Sequence, residues 1–144
     1  MPEKFKVSIA SDHAGFEMKN KIIEHLENHD FSLIDRGPAN TDSVDYPDFA
    51  HLLSKKMRKN IYKFGFLICG SGIGMDMAAN KHKNIRAALC YNVKSAKLSR
   101  EHNNANVLAL GARFTKTKTA LKCVNTFINT NFSKGRHSRR VRKI

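Results

Sequence analysis

The sequence predicts a three-layer α/β/α fold built on a five-stranded, parallel, doubly wound sheet. Short apolar runs alternate along the chain with longer stretches whose apolar residues recur at helical spacing. The 144 residues are enough for one domain, 1–144, with a sizeable core. No internal repeat or linker-like stretch interrupts the alternation. Such a pattern favours parallel strands with helices on both faces, and we expect the common strand order 2-1-3-4-5.

The predicted strands are short apolar runs at 6–11, 31–35, 64–69, 86–90 and 107–110. The predicted helices cover 15–28, 49–57, 75–81, 95–101 and 120–128. In the second of them, the predicted apolar face consists of Phe49, Leu52, Leu53 and Met57. The segment 36–47 is polar and contains two prolines, so it predicts a loop. Residues 132–144 have no core pattern and form a basic tail.

Composition narrows the class of protein without choosing a function. The 26 basic and 12 acidic residues give a net charge of +14, which attracts sugar phosphates and nucleic acids alike. The three cysteines are widely spaced and odd in number, which indicates free thiols, no zinc-type pairing and a cytoplasmic location. Two of them, Cys90 and Cys123, are interpreted as small buried hydrophobes. No apolar run reaches the roughly 20 residues that span a bilayer, and we expect neither a signal peptide nor membrane association.

The stretch 64–74 combines a strand pattern with a glycine-rich loop. Its apolar run ends on Cys69, and Gly70, Gly72 and Gly74 follow, just before the helix predicted at 75–81. Closely spaced glycines let backbone N–H groups converge on an anion. The spacing fits neither a Walker A loop nor a dinucleotide fingerprint, so a compact anion or a developing oxyanion suits it better. The alternative is a tight strand-to-helix turn that begins with a buried cysteine.

A second polar loop follows the first predicted strand. In the expected order, strands one and three are neighbours and the winding direction reverses between them, which is where ligands bind in such folds. The loops at 11–13 and 69–71 therefore converge, and they bring Asp12 and His13 near Cys69. The alternative is that Asp12 and His13 cap the first helix and face solvent.

Other polar candidates lie later in the chain. His102 and Asn103 follow the fourth helix, where a histidine can simply complement the helix dipole and an asparagine can be an ordinary turn residue. Six of the last eleven residues are Lys or Arg and none is acidic, and Arg136 and Arg140 would share a face of a helix that could bind phosphate. The alternatives are a solvated basic tail, or nucleic-acid binding without the aromatic platform that usually accompanies it.

Six motifs in register resemble the type B ribose-5-phosphate isomerases, whose superfamily also includes galactose- and allose-6-phosphate isomerases. They cover nearly the whole chain: Asp12-His13-Ala14-Gly15; Asp45-Tyr46-Pro47; Cys69-Gly70-Ser71-Gly72-Ile73-Gly74 with Ala78-Ala79-Asn80-Lys81; Leu98-Ser99-Arg100-Glu101-His102-Asn103; Asn106-Val107-Leu108; and Gly135-Arg136-His137.

The resemblance implies a Rossmann-like fold and an aldose–ketose isomerase that needs no metal or other cofactor. His102, assisted by Asp12, would open the furanose ring, and Cys69 would shuttle a proton between C2 and C1 through an enediolate. The glycine loop and the Ser71 hydroxyl would stabilise the enediolate. The implied substrate-binding residues are His13, Tyr46, Gly70, Gly72, Gly74, Asn103, Arg113, Arg136 and Arg140.

One branch of the family places a glutamate base directly after the last glycine of the loop. Here that position is Met75, which cannot accept a proton, so the chain resembles the cysteine-base branch. Asp76, one residue later, is interpreted as an acid at a helix start.

The family also implies a homodimer, or a tetramer, whose site is shared between subunits, with the tail docking on the partner. A hexose-6-phosphate isomerase, a non-catalytic sugar-phosphate binder and a nucleic-acid binder remain as alternatives, the last being disfavoured.

Overall fold

The strands of this protein form a single parallel sheet in the part of the chain that the computed structural model describes, residues 5–29, 31–57 and 61–144. Its strands are β1 (Lys6–Ser11), β2 (Ser32–Asp35), β3 (Tyr62–Cys69), β4 (Ala87–Leu89) and β5 (Val107–Gly111). The helices are α1 (Phe16–Leu26), α2 (Tyr46–Met57), α3 (Ile73–Ala79), α4 (Val93–Asn103), α5 (Thr117–Asn129) and α6 (Arg136–Val141). The predicted α/β class with five parallel strands is confirmed.

The strand order is 2-1-3-5-4, so the predicted order 2-1-3-4-5 is wrong at its last two positions. Every residue of β5 is buried, and β5 pairs with β3 on one side and β4 on the other. In contrast, β4 has only three residues, all partly exposed. A strand covered on both faces belongs inside the sheet and a short, partly exposed one belongs at its edge. The neighbouring pair β1 and β3 is as predicted.

The helices cover the two faces of the sheet and give the three layers. One apolar cluster joins the sheet to α1, α4 and α5, and it includes Phe64, Phe66 and Phe127. The other joins the sheet to α2 and α3 through Leu53, Met57, Met75 and Ala79.

Two cysteines that were predicted to be buried lie in the first cluster. Cys90 and Cys123 are buried there as predicted, and burial raises the pKa of the Cys90 thiol and raises that of Cys123 to about 11.

Three local features differ from the sequence-based expectations. α2 begins at Tyr46, inside the segment predicted as a loop. Leu52, predicted on the apolar face of α2, is 39% exposed, and the buried face comprises Ala50, Leu53, Ser54 and Met57. The tail contains the helix α6, which has no buried residue and puts Arg136 and Arg140 one turn apart. Among residues 5–29, 31–57 and 61–144, no helix has the length and apolar character needed to cross a membrane.

We expect Phe127→Ala to lower the free energy of unfolding by about 3–5 kcal/mol, because the ring is fully buried against Phe64 and Phe66 and its removal leaves a cavity. The matched control is Phe114→Ala, where the ring is 69% exposed and the expected loss is below about 1 kcal/mol. Urea unfolding followed by circular dichroism measures both. Equal losses would contradict the placement of Phe127 in the core.

Candidate active site

The pairing of β1 with β3 brings the two polar loops together. Ser11 lies opposite Ile68, and the N–H of Asp12 donates to the carbonyl oxygen of Ile68 at 3.1 Å. Asp12 therefore leaves the sheet beside Cys69, the last residue of β3. Because parallel strands share one carboxyl edge, this position is fixed by the sheet itself.

A cavity of about 500 Å³ opens at this edge. Its lining includes seven predicted site residues, Asp12, Tyr46, Cys69, Gly70, Ser71, Gly74 and Arg113. It also includes Ile73, Met77 and Phe114, which were not predicted as site residues. The sequence contains a signal for two of these apolar residues. Ile73 and Met77 are one helical turn apart in α3, on a different face from the buried Met75 and Ala79.

Cys69 lines the cavity and also belongs to the apolar cluster between the sheet, α2 and α3. The residue is 4% exposed, and its Sγ accepts a hydrogen bond from the N–H of Gly72 at 3.1 Å. Gly72 has φ of 83°, and a Cβ there would meet the Leu89 side chain and the Leu110 backbone. Glycine is thus required for the turn that aims this N–H at the sulfur. Cys69 is both a buried residue and a cavity residue, so burial alone does not decide its role.

Two further glycines of the loop make room for neighbouring side chains. The Tyr46 ring packs so closely on Gly74 that a Cβ there would overlap it. A Cβ at Gly70 would lie 3.1 Å from Nη1 of Arg113. The glycines therefore let an aromatic ring and a guanidinium reach the backbone of the loop, and the guanidinium supplies positive charge there.

Asp12, which lines the cavity, and His13, which is absent from the lining, are both held by backbone contacts. Asp12 is buried, and its Oδ1 accepts from the N–H of Gly15 at 2.9 Å. The N-cap of α1 is Gly15 and has no side-chain cap, so Asp12 does not cap this helix, and it does not face bulk solvent. His13 is half-buried, and its Nδ1 accepts from the N–H of Val44 at 3.2 Å. In the neutral ring the proton then sits on Nε2, which is left as a donor.

The other predicted site residues lie elsewhere in the subunit. α4 starts after the carboxyl end of β4 and runs back toward the opposite edge, where β5 begins, so His102 and Asn103 at its end lie far from Cys69 along the sheet. His102, Asn103, Arg136 and Arg140 are absent from the cavity lining. Asn103 lines a separate cavity together with Arg86.

The His102 ring stacks on that of His137, with centroids 4.3 Å apart and planes at 12°. This contact joins α4 to α6. Desolvation lowers the pKa of His137, and the neighbouring charges of His102, Arg136 and Arg140 lower it further. The sequence analysis gave His137 no role, although it belongs to the Gly135-Arg136-His137 motif.

An exposed apolar rim surrounds the mouth of the cavity. It consists of Tyr46, Ile73, Met77, Tyr91 and Phe114, which are between 40% and 69% exposed. The rings of Tyr91 and Phe114 contact each other, and the Tyr91 hydroxyl donates to the backbone oxygen of Ser71. Apolar side chains gathered at one place on a surface mark an interaction site.

Within residues 5–29, 31–57 and 61–144, no group of three or more His, Cys, Asp or Glu side chains is arranged to hold a metal ion.

Comparison with known proteins gives the family. The model of the family described as "Ribose/Galactose Isomerase" matches residues 7–144. The chain belongs to the ribose/galactose isomerase family. It is 49% identical over 142 residues to the probable ribose-5-phosphate isomerase B of Mycoplasma genitalium, covering 97% of this chain and 93% of the relative. It is 37% identical over 139 residues to ribose-5-phosphate isomerase B of Escherichia coli, covering 96% and 93%.

Solved structures of family members share the fold closely. The Thermotoga maritima ribose 5-phosphate isomerase superimposes with a TM-score of 0.94 at 45% identity, covering 98% of this chain and 97% of that one. The Mycoplasma genitalium ribose-5-phosphate isomerase B, solved with bound ribulose-5-phosphate, gives a TM-score of 0.93 at 48% identity, covering 96% and 93%.

Asp76 differs from the cavity carboxylate Asp12. It lies in the first turn of α3, outside the cavity lining, and its Oδ1 has no hydrogen-bond partner among the described residues. Burial raises the pKa of Asp76 to about 6, although a hydrogen bond from the backbone of Leu89 lowers it in part.

We expect Asp76→Asn to stabilise the protein at pH 8 and not at pH 4. The folded-state pKa of about 6 exceeds the ordinary 3.8. The contribution of this carboxyl group to the free energy of unfolding is therefore highest below pH 3.8, and it falls as the pH rises from 3.8 to about 6. Melting temperatures of wild type and variant between pH 4 and 8 measure the difference. Asp42→Asn, at an exposed position, is the control. A wild-type advantage at pH 8 would contradict the burial of this carboxylate.

Proposed function

We propose that the protein interconverts ribose 5-phosphate and ribulose 5-phosphate, the isomerisation of the non-oxidative pentose phosphate pathway, in the cytoplasm. The observation that carries the proposal is that Cys69, whose sulfur accepts a hydrogen bond from the glycine loop, lines one cavity together with that loop, Asp12 and Arg113. The family membership and the ribulose-5-phosphate bound by the Mycoplasma genitalium protein support the choice of substrate.

Cys69 is the proton-transfer base in this proposal. In the open-chain aldose, the sulfur takes the proton from C2, and the electron pair of that bond moves toward the carbonyl at C1 to give an enediolate. The proton returns to C1, a proton moves from the C2 oxygen to the C1 oxygen, and the ketose results. Cys69 faces the cavity with its Sγ near the Gly72 N–H, which supports this role.

The enediolate carries negative charge on oxygen, and the loop would stabilise it. The N–H groups of residues 70–74 and the hydroxyl of Ser71 are the candidate donors. Ser71 Oγ now accepts from the N–H of Ile73 at 3.2 Å, so its own proton can point to a ligand. One preorganised donor of this kind contributes about 3 kcal/mol in comparable oxyanion holes.

The phosphate would be held by His13 and by arginines. His13 has its Nδ1 occupied by the N–H of Val44, so its Nε2 is free to donate to a phosphate oxygen. Arg113 already lines the cavity and offers bidentate donors. Arg136 and Arg140 of α6 would add to these from a second subunit.

A second subunit would also supply the ring-opening histidine. Within one subunit, His102 and Cys69 lie at opposite edges of the sheet, so both act on one substrate only if two copies pack antiparallel. The apolar rim at the cavity mouth and the absence of buried residues in α6 both suit docking of a partner. We therefore propose a homodimer with two shared sites, in which His102, Asn103 and α6 of one copy complete the cavity of the other.

A hexose-6-phosphate isomerase is the second candidate, since the matching family model covers ribose and galactose isomerases alike. The names of the similar relatives favour the five-carbon substrate. Turnover of ribose 5-phosphate, allose 6-phosphate and galactose 6-phosphate by the same preparation decides between them, and faster turnover of either hexose would overturn the five-carbon assignment.

We expect Cys69→Ala to bind ribose 5-phosphate but to lose about 10²–10⁴-fold in kcat, because the base is gone while the phosphate contacts remain. Loss of hydrogen exchange between C2 and solvent, measured by NMR in deuterated water, tests the chemical step itself. Cys90→Ala, at a buried thiol outside the cavity, is the control and should retain turnover. Exchange at a near wild-type rate in Cys69→Ala would place the base elsewhere.

We expect mixtures of Cys69→Ala and His102→Ala subunits to recover activity that neither variant has alone. In a shared-site dimer, each heterodimer carries one site with both defects and one intact site, so random reassortment recovers about a quarter of wild-type turnover. The measurement is isomerase activity after the two variants are mixed, dissociated and reassembled. Recovery that never exceeds the sum of the separate variants would contradict a site shared in this way.

A further inference from the structure

The most buried cation of the described chain lies outside the cavity. Lys19 of α1 is 1% exposed, although lysine is almost never fully buried without partners. Its ammonium donates to both carboxylate oxygens of Asp35 at 2.9 Å and to the carbonyl oxygen of Pro38 at 2.8 Å. All three of its N–H donors are therefore used, and two of them form the ion pair with Asp35.

These bonds fix the start of the segment 36–45, which connects β2 to α2. Asp35 Oδ1 also accepts from the N–H of Gly37 at 2.8 Å, and the Gly37 carbonyl accepts from the N–H of Ser11 at 3.0 Å. Ser11 is the last residue of β1 and directly precedes Asp12. The Lys19 ammonium is thus joined to the backbone of the cavity through a short series of hydrogen bonds.

The far end of the same segment reaches the site again. Val44 donates its N–H to Nδ1 of His13, and Tyr46 follows two residues later with its ring against Gly74. Residues 39–43 between the two attachments are exposed. The segment is therefore attached at Pro38 to Lys19 and at Val44 to His13.

We propose that Lys19 is a positioning residue for the phosphate end of the site. By fixing Asp35 and Pro38, it holds the segment 36–45 so that Val44 keeps the proton of His13 on Nε2, facing the phosphate. The inference rests on the proposed function, since it assigns His13 to substrate phosphate. Lys19 itself does not touch the cavity.

The test is Lys19→Met, which keeps the apolar stem and removes the three donors. We expect KM for ribose 5-phosphate to rise about tenfold, the effect of one well-placed hydrogen bond, while kcat changes less than about threefold. A role confined to the stability of the fold would lower the melting temperature without this separation of KM from kcat. Lys21→Met, the same change at an exposed position of α1, is the matched control and should leave KM unchanged.

Amide hydrogen exchange reports the mechanism without any assay of activity. In Lys19→Met we expect faster exchange at Gly37 and Val44, and unchanged exchange in β5, which lies across the sheet. Unchanged exchange at Val44 would overturn the inference, whatever the activity. If the wild type does not turn over ribose 5-phosphate, the proposed function fails, and the exchange result still shows whether Lys19 holds the segment.

A second variant keeps the test decisive should Lys19→Met fold poorly. Asp35→Asn keeps the side-chain volume and one acceptor oxygen for the buried ammonium, and it removes the negative charge of the ion pair. We expect its KM to rise in the same direction. The double variant should be no worse than Lys19→Met alone, because both act through one network, whereas additive effects on KM would contradict a shared role.

Discussion

The site depends on the register between β1 and β3. That register places Asp12 beside the end of β3 and lets its N–H reach the carbonyl of Ile68. The glycine loop then turns at a left-handed residue, so that an N–H meets the Cys69 sulfur within three residues of the strand. A slip of one residue between these strands would turn every side chain of the shifted strand to the opposite face of the sheet, and it would move the two loops apart. The arrangement of the site is therefore a consequence of sheet geometry more than of any single contact.

The same geometry explains why one subunit holds only part of the proposed machinery. A helix that follows a parallel strand must run back along the sheet, and α4 thus carries His102 to the edge opposite Cys69. The helix α6 stacks His137 on His102 and presents arginines without burying a residue. An apolar rim lies at one edge and an unburied basic helix at the other, and two antiparallel copies of the proposed dimer would cover both at once.

Much of the fold could be predicted from the sequence, because the apolar runs mark each strand and the helical spacing marks the main helices. The strand order could not be predicted from the sequence. The position of β4 at the edge of the sheet follows from its shortness and the partial exposure of its residues, whereas the run at 86–90 resembles a central strand in the sequence. The helix α6 could be considered only as the condition under which Arg136 and Arg140 share a face, because it has no apolar stripe and helix prediction from periodicity needs a buried face. Within the site, the cavity residues from Asp12 to Arg113 were predicted from motifs. Ile73, Met77 and Phe114 were not, since exposed apolar side chains at a rim look like core residues in the sequence. Lys19 falls inside the helix predicted at 15–28, and nothing in the sequence reveals that its ammonium is buried.

In the proposed mechanism, a sulfur atom faces the reacting carbon while loop amides face the developing oxyanion. The decisive experiment is a crystal structure of the protein with a phosphorylated hydroxamate that mimics the five-carbon enediolate. We expect the Cys69 Sγ within about 3–3.5 Å of the atom that stands for C2, with N–H groups of residues 70–74 on the hydroxamate oxygens. A complex in which the sulfur points into the core, with another side chain in contact with that atom, would contradict it.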